Sequence, residues 1–105
     1  MSVSTHVLDA VAGRPAAGVG VRLFAGEHLL AEGVTDGEGR CRLTAEATGT
    51  GPHRLVFATG PWVAELDRDT FYPEVVLTFV VREPADHHHV PLLLSPFAYS
   101  TYRGS

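Results

Sequence analysis

Turn-forming residues punctuate this chain from end to end, and their spacing constrains the fold more than any other feature. Eleven glycines and seven prolines are spread through 105 residues. Gly supplies permissive backbone angles and Pro a fixed φ, so clusters of them mark turns. Ala12-Gly13-Arg14-Pro15, Gly26-Glu27, Thr35-Asp36-Gly37-Glu38-Gly39 and Arg82-Glu83-Pro84-Ala85-Asp86 all read this way, and Gly49-Thr50-Gly51-Pro52 opens a further strand. Between them, Val19, Val21 and Leu23 alternate with Gly20, Arg22 and Phe24, the period of a strand with one buried face. Further strands are predicted at Val3 to Leu8, about Leu29 to Val34, Cys41 to Leu43, Arg54 to Thr59, Glu74 to Val81, His87 to Leu94 and Phe97 to Tyr102. Trp62 to Leu66 breaks the rhythm: it follows Gly60-Pro61 and predicts a helix of one or two turns, proline being favourable at a helix start. Short strands with turns every 8–12 residues or so imply an all-β sandwich or barrel, and residues 1–105 form one domain.

Charge narrows the function classes. Eight Lys+Arg against twelve Asp+Glu give a formal charge of −4, the wrong sign for a nucleic-acid or anionic-membrane binder. An apolar share of 45% is that of a folded domain. The longest apolar run, Val75 to Val81, is interrupted by Thr78 and is far short of the roughly 18 residues that span a bilayer. Met1 to His6 has neither a basic region nor an apolar stretch, so no signal peptide is expected. One cysteine, Cys41, cannot form an internal disulfide, which fits a reducing compartment; the expected location is cytoplasmic. A domain this small struggles to enclose a deep pocket, so an enzyme of this length is expected to place its site between subunits.

Several residues are candidates for chemistry. His6 shares a strand face with Ser4 and Leu8; by itself it reads as an edge-strand surface histidine. In His87-His88-His89, alternation puts His87 and His89 on one face and His88 on the other. Two histidines of one face suit zinc, but a third ligand is usual, and His6, His28 and His53 show no recognisable ligand spacing; no metal is expected. Acid–base work or a solvated surface are the other uses. Pro91 removes a ladder donor, placing that strand at an edge or bulging it. Tyr99 and Tyr102 would anchor the closing segment Tyr102-Arg103-Gly104-Ser105 at a fixed place. Arg40 ends an acidic turn and alone reads as a solvated arginine, while Cys41 reads as a packed thiol.

Taken together, these motifs carry a resemblance. His6-Val7-Leu8-Asp9, Gly13-Arg14-Pro15-Ala16 and Val19-Gly20-Val21 resemble the N-terminal signature of the transthyretin superfamily. His89-Val90-Pro91-Leu92-Leu93-Leu94-Ser95-Pro96-Phe97 with Tyr99-Ser100 resembles its C-terminal signature. The ending Tyr102-Arg103-Gly104-Ser105 resembles the hallmark of the enzymatic branch, the 5-hydroxyisourate hydrolases. The resemblance spans His6 to Ser105. It implies a transthyretin-like β-sandwich of two four-stranded sheets with one short helix after the fifth strand, and a homotetramer with sites in the channel between dimers. By motif position it assigns catalytic roles to His6, Arg40, His89 and Ser105. Substrate binding falls to His6, Arg40, Tyr102, Arg103, Gly104 and Ser105; His87 and His88 receive no role. Two positions depart from the pattern: His88 stands where an aromatic residue, typically tyrosine, is usual, and Ala98 where glycine or serine is usual. Alanine would be strained at Ala98 if that position needs φ > 0.

The activity implied is hydrolysis of the six-membered ring of 5-hydroxyisourate to 2-oxo-4-hydroxy-4-carboxy-5-ureidoimidazoline in urate breakdown, without a cofactor. Opening a cyclic amide needs an activated water, a stabilised oxyanion and a proton for the departing nitrogen. Neutral imidazoles suit the first and last, and a guanidinium fork suits an electron-rich heterocycle. The competing readings are a transthyretin-type carrier that holds an aromatic ligand without turnover, a purely structural sandwich, and metal-assisted hydrolysis.

Overall fold

Strict alternation in the first strand decides which way the sheet faces. Val3, Thr5, Val7 and Asp9 are buried, while Ser2, Ser4 and His6 between them stay partly open. One face therefore packs inward and the other carries polar side chains. The structure is a computed structural model and describes residues 1–46 and 49–105. In chain order its elements are β1 (Ser2–Asp9), β2 (Arg14–Pro15), β3 (Gly20–Ala25), β4 (His28–Val34), β5 (Arg40–Thr44), β6 (Gly51–Ala58), α1 (Thr59–Glu65), β7 (Val75–Val81), β8 (His87–His89), β9 (Leu92–Leu94) and β10 (Tyr99–Thr101).

β1 is the axis of the first sheet. It pairs antiparallel with β5 and the two-residue β2 on one side and parallel with β8 and β9 on the other, with β10 beyond β9. The second sheet runs β4-β3-β6-β7, antiparallel throughout. Val3, Val7, Leu23, Leu55, Phe57 and Leu92 fill the space between the sheets. The expected all-β two-sheet sandwich with one short helix is what forms. Among the described residues no helix is long and apolar enough to cross a membrane.

Local departures from the sequence reading have local causes. The strand expected over His87 to Leu94 divides into β8 and β9 because Pro91 has no N–H to give. Val90 still donates to the Ser4 carbonyl at 2.8 Å, and pairing resumes at Val7 and Leu92. Pro91 thus stands where the chain passes from β8, an edge paired with β1 alone, to β9, which has a strand on each side. The helix begins at Thr59, three residues before Trp62, and so takes Gly60 and Pro61 into its first turn. N–H groups there have no intrahelical acceptor, so a proline loses nothing. Arg14–Pro15, read as part of a turn, also pairs with Leu8 and Asp9 as β2. Phe97 and Ala98 lie in a turn closed by Ser95 N–H donating to the Ala98 carbonyl at 2.9 Å. Asp67 is the one non-glycine residue with positive φ among those described, so Ala98 carries no strain of that kind.

The helix and the segment after it are tied down at two points, one on the β2–β3 connection and one on β1. The Trp62 indole donates to the Ala17 carbonyl at 2.9 Å, and Arg68 Nη1 meets Asp9 Oδ2 at 2.7 Å. Asp9 is buried, which pushes its carboxyl pKa up, but hydrogen bonds from Arg68, Ala12 and Val11 outweigh burial and hold it below the ordinary value of 3.8. A depressed carboxyl contributes stability above its ordinary pKa and loses it as pH falls through the folded value. Asp9→Asn is therefore expected to cost about 1–3 kcal/mol at pH 7 by denaturant unfolding. The gap to the wild type should begin to narrow as the pH drops below 3.8 and close below the folded value. A gap of constant size down to pH 2 or so would contradict this role.

Candidate active site

The outer face of the first sheet is built by register. On β1, Ser2, Ser4 and His6 point away from the core. Antiparallel pairing sets Arg42 beside Ser4 and Arg40 beside His6, while parallel pairing sets His87 beside Ser2 and His89 beside Ser4. Two arginines and three histidines from three strands thus share one face.

The turn before β5 holds Arg40 in place. Asp36 Oδ1 accepts from the backbone N–H of Glu38 and of Arg40, both at 2.9 Å, and the bond from Arg40 is the largest influence holding the Asp36 carboxyl below its ordinary value. Gly39 in this turn has φ +76°, and its carbonyl accepts from Val7 N–H at 2.8 Å. His6 Nε2 lies 2.9 Å from the Glu38 carbonyl oxygen, joining the imidazole to the same turn. Among the described residues the Arg40 guanidinium keeps only a long, exposed contact with Glu38 (4.0 Å), which leaves it available to a ligand.

His89 is fixed from two sides. Its Nδ1 lies 2.7 Å from Ser4 Oγ. On the opposite ring edge sits Gly104, whose N–H donates to the His89 carbonyl at 2.9 Å; a Cβ added there would overlap the ring. The Tyr102–Ser105 segment thus passes over His89, and glycine is required because the backbone and the imidazole touch. Burial, then the positive charge of Arg40 and the neighbouring His6, lower the His89 pKa from 6.5 and favour its neutral form.

His88 faces the other way, as alternation predicted. Its ring lies 6.1 Å from Phe79, in a tilted pair, and its buried Nδ1 has no hydrogen-bond partner among the described residues. The ring at this position therefore stacks on Phe79 and not on His89. His53 is buried within β6, and His28 starts β4, so both belong to the second sheet and stand apart from His87 and His89. Cys41 is buried, which pushes its thiol pKa up, as befits a packed and unreactive side chain.

A cleft of ≈ 760 Å³ lies between β7 and the chain from Asp86 to Val90, with Tyr102, Arg103, Gly104 and Ser105 on its rim. Its size is that of a small-molecule site. His6 and Arg40 lie outside its lining, on the open sheet face. The structure brings His6 next to Arg40 and Gly104 onto His89, while the enclosure around them is incomplete within one chain. Ser4 and His87 were not singled out for this site. The parity of the strands hinted at them, but only the parallel pairing of β1 with β8 puts them in contact.

The sequence model of the HIUase/Transthyretin family matches residues 3–104. The chain belongs to that family. Among curated relatives, a 5-hydroxyisourate hydrolase of Caulobacter vibrioides is 46% identical over 112 residues, covering 98% of this chain and 97% of the relative. Among solved structures, the 5-hydroxyisourate hydrolase of Klebsiella pneumoniae superposes with a TM-score of 0.90 at 38% identity and full coverage of both chains. Transthyretin from Sparus aurata superposes at 0.85 with 30% identity, covering 97% of this chain and 95% of its own. The same sandwich is thus common to a transthyretin and a 5-hydroxyisourate hydrolase, and fold alone does not separate the two.

Proposed function

We propose that this chain is a hydroxyisourate hydrolase, a cyclic amide hydrolase that opens the six-membered ring of 5-hydroxyisourate in urate catabolism. The observation that carries the reading is one polar sheet face holding His6, Arg40 and His89, with Gly104 of the Tyr-Arg-Gly-Ser segment packed on the last. Near-full-length similarity to proteins named 5-hydroxyisourate hydrolase supports it. A carrier has no need of paired titratable groups beside a guanidinium.

In this reading His6 and His89 activate and orient a water, which attacks the ring carbonyl. Arg40 binds the heterocycle and draws the developing negative charge on the carbonyl oxygen. Ser105, with Tyr102, Arg103 and Gly104, closes over the substrate and orients it. The departing nitrogen is protonated from an imidazole, and no covalent nucleophile takes part. Because His6 and Arg40 lie on an open face, the site is completed in a homotetramer, where a second copy covers the sheet. A chain with one buried cysteine suits the reducing cytoplasm.

Generating 5-hydroxyisourate with a urate oxidase and identifying the product by carbon NMR tests the activity. The ureidoimidazoline should accumulate well ahead of spontaneous decay, with unchanged rates in excess chelator; a ligand bound but not converted would indicate the carrier instead. Light scattering tests the assembly, for which four copies are expected.

The lowered pKa of His89 sets a pH dependence. A base must be neutral, and a depressed imidazole stays neutral until the pH falls through its folded pKa. The acid limb of kcat/KM is therefore expected below pH 6.5. Arg40→Gln removes one of the charges that depress it, so the residual activity of that variant should show the limb displaced upward. An identical limb in both proteins would contradict this electrostatic link.

A further inference from the structure

Four side chains of the outer face form an unbroken hydrogen-bonded chain. Ser2 Oγ lies 2.6 Å from His87 Nδ1, His87 Nε2 lies 2.7 Å from Ser4 Oγ, and the same oxygen lies 2.7 Å from His89 Nδ1. All three separations are short for such contacts. The order Ser2–His87–Ser4–His89 follows from the parallel register of β1 and β8, which alternates serines against histidines on one face.

A serine hydroxyl has one hydrogen, so Ser4 donates to one ring and accepts from the other. The chain consequently has two directions. In one, His89 carries its hydrogen on Nδ1, donates to Ser4, and presents a lone pair at Nε2. In the other, Ser4 donates to His89 Nδ1, and His89 presents an N–H at Nε2. Reversal changes what His89 offers to a ligand without changing the charge of any group.

We propose that Ser4 and His87 are positioning residues that form a proton relay, through which His89 alternates between base and acid during one turnover. The inference rests on the hydrolase reading above. On attack, His89 Nε2 takes a proton from the water as its oxygen bonds to the ring carbon. The Nδ1 proton passes to Ser4, the Ser4 proton to His87 Nε2, and the His87 Nδ1 proton to Ser2, whose own proton leaves to solvent. On collapse, the Nε2–H protonates the departing ring nitrogen as the carbon–nitrogen bond breaks, and the chain runs back, taking a proton from solvent. The relay ends as it began, and the new carboxylic acid ionises into water.

Both imidazoles must be neutral for this. Burial first, and then the nearest guanidinium, lower both pKa values: Arg42 acts on His87 and Arg40 on His89. The exposed end of the chain, at His87 and Ser2, is where exchange with solvent is open.

The test separates relaying from support. His87→Gln retains groups that can bond to Ser2 and Ser4, but an amide does not pass a proton from one side to the other. Ser4→Ala and His87→Gln should each lower kcat about 10- to 100-fold with little change in KM, and Ser4→Thr, which keeps the hydroxyl, should stay within about threefold of wild type. In nitrogen NMR, the His89 ring shifts of the wild type should lie between those of the two pure tautomers, and His87→Gln should move them towards one. Wild-type kcat in His87→Gln, or a single His89 tautomer in both proteins, would overturn the relay. Wild-type protein that leaves 5-hydroxyisourate untouched would instead overturn the hydrolase reading, and the nitrogen spectra still judge the hydrogen-bonded chain.

Discussion

Replacing His89 with alanine should lower kcat/KM for 5-hydroxyisourate by about 10²–10⁴-fold, the usual contribution of a placed acid–base group. That corresponds to about 2.7–5.4 kcal/mol of transition-state stabilisation. His6→Ala should fall in the same range, because the two imidazoles serve one water from neighbouring strands. Neither substitution touches the packed interior: both side chains stand on the outer face of β1 and β8, so the melting temperature and the oligomeric state should hold. The pair acts as a unit, so the double variant is expected to lose little more than the worse single one. Near-wild-type turnover in both single variants would remove the histidines from the mechanism and leave the sheet face as a binding surface.

Gly39→Ala carries the largest expected stability effect. At φ +76° an alanine costs about 1–2 kcal/mol. Its Cβ would also overlap the Val7 carbonyl and stand 3.0 Å from Pro15 Cβ. Forcing such contacts typically adds about 1–3 kcal/mol. A total of about 2–5 kcal/mol should lower Tm by roughly 10–40 °C in a domain of this size. Activity should suffer beyond the loss of folded protein, since this turn delivers Arg40 beside His6 and supplies the Glu38 carbonyl that holds the His6 ring. Gly37→Ala is the control: its φ is not in the left-handed region and nothing lies within 4 Å of the added carbon, so it should be near neutral. Equal effects of the two substitutions would show that the conformation of the turn is not what matters.

The sandwich was legible because its determinants are local. Gly37, Gly39 and Pro84 mark chain reversals, and alternation in segments such as Val19 to Phe24 names the buried face before any pairing is known. What was not legible depends on pairing between distant segments. Nothing in Ser4 or His87 alone indicates that a parallel register brings them within hydrogen-bond distance, because parallel partners are joined by no short turn. Pro91 illustrates the same limit: its missing donor predicts a disturbed ladder, but that β8 stays an edge while β10 covers β9 rests on pairing with a distant segment. For the site, alternation placed His87 with His89 and turned His88 inward. The contact of Gly104 with the His89 ring requires the chain after β10 to return across β8, which composition and spacing do not encode.

The account stands on a polar sheet face that converts a lactam rather than merely holding it. The most direct measurement is the ultraviolet decay of freshly generated 5-hydroxyisourate with and without the protein, at neutral pH. The account predicts decay that accelerates in proportion to wild-type protein and returns to the spontaneous rate with the His6→Ala/His89→Ala double variant. Decay at the spontaneous rate with folded wild-type protein at any concentration would contradict it.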